Sequence, residues 1–175
     1  LQLSFGAHGA EIKKYYAADL AISPGLAQRE ILTDSFMALA MRSWADFSHS
    51  AAMPTYLYYM GYVPPAYQIY LFDEPNLNLP GGVRSAGAYH SGDLAFVFNN
   101  VGKTVDFWLE ADYTMAQIMS TYWTNFAKTG DPNSNEVPPW TAYSTNDRNT
   151  QLLSDQISNV SGVKREKLDL LKKTQ

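Results

Sequence analysis

Met115, Ile118, Met119, Tyr122 and Phe126 recur at steps of three and four along a stretch that opens at Asp112 and stops at Gly130. That spacing gathers five apolar side chains on one face of a helix, with Asp112 placed to cap its start and Gly130 to end it. Burying those side chains contributes about 1.5–3 kcal/mol each before entropy is subtracted. The helix is therefore scaffold, and the segments before and after it carry the remaining fold signals.

A second helical pattern runs from Pro24 to Phe47. Ile31, Leu32, Phe36, Leu39, Ala40 and Ser43 fall at intervals of three and four, and Ser23 or Pro24 is suited to begin it. His49, at its end, meets the negative end of the helix dipole. Pro54 to Met60 is a strand, rich in tyrosine and apolar on both faces as in a buried strand of a mixed or parallel sheet. Gly61 to Ala86 is a proline-punctuated excursion in which Tyr67, Ile69, Tyr70, Leu71 and Phe72 form an apolar anchor. Leu1 to Tyr16 reads as loop, His8 included. After the long helix come a short strand at Gln151–Leu153, a turn, and a final helix over Val163–Lys173.

Between excursion and long helix lies Gly87-Ala88-Tyr89-His90-Ser91-Gly92-Asp93. Small residues flank His90, as in a tightly turning surface loop with one imidazole face open. Leu94, Phe96, Val97 and Phe98 follow as an apolar clamp, and Asp93 is suited to fix the loop by hydrogen bonds. A pinned loop with an exposed histidine is a candidate general base. Loops also carry many histidines that do nothing.

The chain has 175 residues, 46% hydrophobic and 17% charged, which suits one globular domain rather than a disordered tail. A net charge of -4 without a concentrated basic stripe argues against a nucleic-acid partner. Lys164, Arg165, Lys167, Lys172 and Lys173 read as a solvated helix face. With no cysteine, disulfides and thiolate chemistry are excluded. No apolar run is long enough for a membrane span, and nothing marks a signal peptide. Neither a cofactor nor a metal site is expected.

Several of these segments resemble the type B carboxylesterases, the cholinesterase-like branch of the α/β-hydrolase fold. Trp123-Thr124-Asn125-Phe126-Ala127-Lys128-Thr129-Gly130-Asp131-Pro132-Asn133, followed by Pro139-Trp140 and Tyr143, is the most specific match. Thr33-Asp34-Ser35-Phe36 is similar to an element at the start of a family helix, where Asp34 caps and hydrogen-bonds rather than catalyses. The Pro54 strand and the Gly87–Phe98 loop complete the series in the family's order. The resemblance implies the C-terminal portion of an α/β-hydrolase fold, mixed-sheet strands with flanking helices, with residues 1–175 forming the C-terminal part of one catalytic domain.

It also implies a carboxylic ester hydrolase working by serine-histidine-acid acyl transfer on a small-molecule ester. His90 alone carries over as a catalytic residue. The chain contains no Gly-x-Ser-x-Gly, and Gly82-Val83-Arg84-Ser85-Ala86-Gly87 has the wrong spacing. The serine and the acid are thus expected on an upstream segment or chain of the same enzyme. The family leans towards secreted or periplasmic settings. Two other readings stand beside this one: a noncatalytic esterase-like interaction module, and a small hydrolase using Ser91 or Ser85 with Asp34 or Asp93.

Overall fold

The computed structural model describes residues 5–66, 79–103 and 107–174. In chain order come α1 (Gly9–Tyr15), α2 (Ala17–Ile22), α3 (Pro24–Thr33), α4 (Leu39–Ser50), β1 (Tyr58–Met60), α5 (Leu94–Val97), α6 (Glu110–Thr129), β2 (Asn149–Leu153), β3 (Ser158–Ser161) and α7 (Arg165–Lys172). They divide into two compact units. One holds Leu1–Leu57, Tyr143–Asn149 and Ser161–Gln175; the other holds Tyr58–Ala142 and Thr150–Val160.

In the first unit, extended Ser23 caps α3 by accepting the Leu26 amide at 3.0 Å, and Pro24 takes the first helical turn. A π-helical turn, Asp34–Ala38, joins α3 to α4, its register marked by the Leu39 amide bonding back to the Asp34 carbonyl. The core gathers Ile12, Tyr16, Ile31 and Leu39 with Leu168, Leu170 and Leu171 of α7. Residues 9–15 and 17–22 are helical, so the loop expected at the N-terminal end is corrected there. Ile12 and Tyr16 lie one helical turn apart and both enter the core.

The buried face of α3 and α4 differs from the one expected. Ile31, Asp34, Leu39, Arg42 and Ala45 point inward, whereas Leu32 and Phe36 are exposed. Paired charges explain the difference. Asp34, without exposed surface, accepts Tyr16 Oη at 2.8 Å and Lys164 Nζ at 2.7 Å. Arg42 meets Asp169 at 3.0 Å, and Arg148 meets the same carboxylate at 2.8 Å. A buried charge is tolerable when paired and hydrogen-bonded, so these polar residues occupy core positions that a hydrophobic pattern assigns to their neighbours. Asp34 is accordingly no helix cap; its backbone is helical on both sides. Lys164, Arg165 and Lys167 are likewise not a solvated face: Lys164 also pairs with Glu30 and Lys167 with Asp19, while Arg165 donates to the carbonyls of Asn146 and Asp147.

In the second unit, β1 and β2 run parallel, with Tyr58 opposite Gln151 and Met60 opposite Leu153, in a sheet of order β1-β2-β3. The extended Pro54–Leu57 stretch makes no ladder, so the strand is shorter than expected, and β3 replaces part of the expected turn. Parallel strands need a long crossover, and here it includes α6. That helix begins two residues before Asp112, which occupies its third position and accepts the Leu109 amide at 2.7 Å. Gly130, at φ 77°, closes it through the left-handed conformation that glycine adopts freely. Met115, Met119 and Tyr122 are buried, but Phe126 lies at the exposed end.

Candidate active site

The histidine loop follows residues 79–86, packs against the buried Pro64–Pro65 pair, and leaves into α5. On one side of His90, Tyr89 donates its hydroxyl to the Pro65 carbonyl at 2.9 Å. On the other, Gly92 is wedged so tightly that a Cβ there would sit 2.9 Å from Pro64 Cγ and 3.0 Å from the Tyr89 carbonyl oxygen. Ser91 adopts φ +65°, a left-handed conformation strained for any residue with a side chain. These three constraints turn the chain sharply at His90, and its imidazole is exposed. Among the described residues, none hydrogen-bonds or ion-pairs with that ring.

Asp93 accepts a hydrogen bond from Tyr58 Oη at 2.8 Å, tying the loop to β1 as its sequence position suggested. Burial first, then the Asp93 charge and hydrogen bond, push the Tyr58 phenol above its usual range, so it remains a donor. The apolar clamp is narrower than expected. Residues 94–97 form a single helical turn, which buries Ala95 and Phe96 and leaves Leu94 and Phe98 on the opposite, exposed side. Phe96 packs edge-on against Tyr62 and Trp108, with centroids 5.5 and 5.9 Å away.

Behind the loop, Arg84 pairs with the fully buried Asp112, which also accepts Tyr62 Oη at 2.8 Å. Arg84 additionally donates to the Val63 carbonyl, so the far end of the excursion is fastened to its near end. Sequence reasoning missed this knot; the only available signal was a basic residue in an otherwise turn-like Gly-Gly-Val-Arg-Ser stretch. The expected anchor at Tyr67–Phe72 lies outside the described residues.

The Trp123–Asn133 match resolves into a turn built from its polar residues. Asn125 donates to the Pro132 carbonyl at 3.1 Å, and Thr129 Oγ1 donates to the Asn125 carbonyl while accepting the Asp131 amide. Asp131 Oδ1 accepts the Asn133 amide, and Asn133 receives the Trp140 amide at 2.6 Å while donating to its carbonyl. Trp140 thereby stands against Tyr58 and Tyr122, with ring centroids 6.2 and 5.0 Å away.

The other expected residues take structural places. His8 lies 3.9 Å from Glu11, and His49 sits in the last turn of α4 with its ring 6.3 Å from that of Tyr143. Both Asp34 oxygens are taken by Tyr16 and Lys164. A cavity of about 490 Å³ lies along α6, lined by Tyr62, Met115, Ile118 and Asp155 among others, and does not include His90. Among the described residues no cluster suited to a metal ion occurs, and no helix is long and apolar enough to cross a membrane.

Residues 8–171 match the sequence profile of the carboxylesterase family. The chain is 40% identical to bile salt-activated lipase of Homo sapiens over 79 residues, which is 43% of this chain and 10% of that protein. It is 31% identical to carboxylesterase 5A of Canis lupus familiaris over 128 residues, 70% of this chain and 20% of that protein. Among solved structures, a carboxylesterase of Geobacillus stearothermophilus superposes with a TM-score of 0.73 at 20% identity, covering 97% of this chain and 33% of its own. A thermophilic PNB esterase gives a TM-score of 0.65 at 25% identity, covering 95% of this chain and 32% of its own. The chain thus carries part of an α/β-hydrolase fold, and its match spans a third or less of these relatives.

Proposed function

Because this chain belongs to the carboxylesterase family, we propose that it supplies the general base, His90, and part of the substrate pocket of a carboxylic ester hydrolase. In this reading residues 1–175 are the C-terminal part of one catalytic domain, and the nucleophilic serine and the acid come from an upstream segment or chain. The observation that carries it is the exposed His90 imidazole on a loop fastened on both sides.

In the reaction, His90 takes the proton from the serine hydroxyl as its oxygen attacks the ester carbonyl carbon. The imidazolium then gives that proton to the departing alcohol oxygen as the carbon–oxygen bond breaks, leaving an acyl-enzyme. The same ring next takes a proton from water, whose oxygen attacks the acyl carbon, and returns it to serine as the acid leaves. Imidazole can both accept and donate a proton near neutrality, which suits both directions of this step.

The upstream part of the proposal is supported by a stripe along α3 and α4. Leu32, Phe36, Met37, Met41, Trp44 and Phe47 are exposed, Phe36 by 78% and Trp44 by 64%. An exposed apolar face of this kind marks an interaction surface. The solved neighbours have about two thirds of their length outside the match to cover it.

The test treats the native protein, with any polypeptide that continues or accompanies it, with a fluorophosphonate and locates the adduct by mass. A label on an upstream segment, together with loss of p-nitrophenyl acetate hydrolysis in His90→Gln by several powers of ten, supports the assignment. An unchanged rate in His90→Gln overturns it.

A further inference from the structure

We propose that Tyr58 is a positioning residue for His90, acting through Asp93. The inference rests on the reading of His90 as general base. It starts from an oddity at Asp93, which occupies the N-cap position of α5 yet makes no side-chain cap bond to it. An aspartate there ordinarily accepts an amide of the first helical turn, a bond whose loss costs about 1 kcal/mol. Here the carboxylate turns away from that use and takes the Tyr58 hydroxyl at 2.8 Å. The backbone carbonyl of Asp93 still accepts the Phe96 and Val97 amides, so the helix turn stays formed.

Tyr58 is itself held from three sides. Its backbone lies in β1 opposite Gln151, and its ring stands edge-on to Trp123 at 5.2 Å and to Trp140 at 6.2 Å. Position is thus transmitted from the β1–β2 ladder and the Trp140 turn, through one phenol and one carboxylate, to the residue three places after His90. Tyr89 and Gly92 fasten the loop against Pro64 and Pro65, neither of which belongs to the sheet. The Tyr58 bond ties the loop to the sheet. A loop free to slide at that end carries the imbalance to the imbedded turn at Ser91 and hence to the imidazole. Displacing a catalytic group by about 1 Å can cost on the order of 100-fold in rate.

The test compares His90→Gln, Tyr58→Phe, Asp93→Ala and Asp93→Asn in the native protein with p-nitrophenyl acetate. Tyr58→Phe and Asp93→Ala are expected to lower kcat roughly 10- to 100-fold with KM nearly unchanged, and the double variant no further than either alone. Asp93→Asn keeps a carbonyl oxygen for the phenol and is expected to retain most of the rate. Wild-type kcat in Tyr58→Phe, with His90→Gln inactive, overturns the positioning role alone. Equal losses in Asp93→Asn and Asp93→Ala overturn it too, since they assign the effect to charge rather than to the bond. Full activity in His90→Gln removes the general base, and the positioning role with it. Should Tyr58→Phe fail to fold, the two Asp93 variants decide the matter.

Discussion

Lys164 Nζ stands 2.7 Å from an oxygen of Asp34, a carboxylate with no exposed surface. The other oxygen is held by Tyr16, so removing the lysine leaves a buried charge with one neutral donor. Lys164→Ala is expected to destabilise by about 3–5 kcal/mol, while the double change Asp34→Leu with Lys164→Met costs much less. Urea unfolding midpoints of the single and double variants check this.

Asp169 makes stability depend on acid. Burial raises its pKa, but the Arg148 hydrogen bond and the Arg42 and Arg148 charges outweigh it, and the net shift is downward. A depressed carboxylate contributes stability that is complete above its unfolded value, about 3.9, and is lost as pH falls through the lower folded value. Melting temperatures of wild type and Asp169→Asn should therefore differ at pH 6 and converge only as the pH falls below the ordinary carboxylate range. A constant difference across that range would show that the carboxylate is not the source.

Gly92 and Gly130 separate two kinds of glycine requirement. Nothing lies within 4 Å of a Cβ at Gly130, so Gly130→Ala meets only the left-handed backbone cost of about 1–2 kcal/mol. Gly92→Ala instead drives a methyl group into Pro64 and the Tyr89 carbonyl. It should leave the melting temperature less affected than the rate of the proposed ester hydrolysis, because the loop yields before the core does.

Trp44→Glu together with Phe36→Ser should make the 175-residue chain more soluble by itself and lower its binding of an apolar dye. The same change should weaken its association with the proposed upstream segment, measured by co-purification. Greater solubility with undiminished association would place the covering segment elsewhere.

Local chemistry made much of this legible. Ser23-Pro24 starts a helix, Gly130-Asp131-Pro132 ends one, and the small residues around His90 mark a surface loop, because each signal depends on backbone preferences a few residues long. The inward face of α3 and α4 was hidden because Asp34 and Arg42 are core residues only by virtue of Lys164, Tyr16 and Asp169, all distant in sequence. The strand at Pro54 was overextended for a similar reason: extended backbone is a local preference, but a ladder needs a neighbour, and β2 meets only Tyr58–Met60. Tyr58 looked like one more strand aromatic, since nothing near it in sequence points to Asp93.

The parallel pairing of Tyr58 with Gln151 also sets a clock for synthesis. The ribosome must add roughly 90 more residues before β1 can find its partner, several seconds or more at ordinary elongation rates. Throughout that interval the aromatic strand and the histidine loop that follows it emerge without the ladder that later fixes them. The assembly of this half of the molecule is therefore governed by the arrival of its last strands, and a chain halted before Gln151 carries His90 but lacks the frame that holds it.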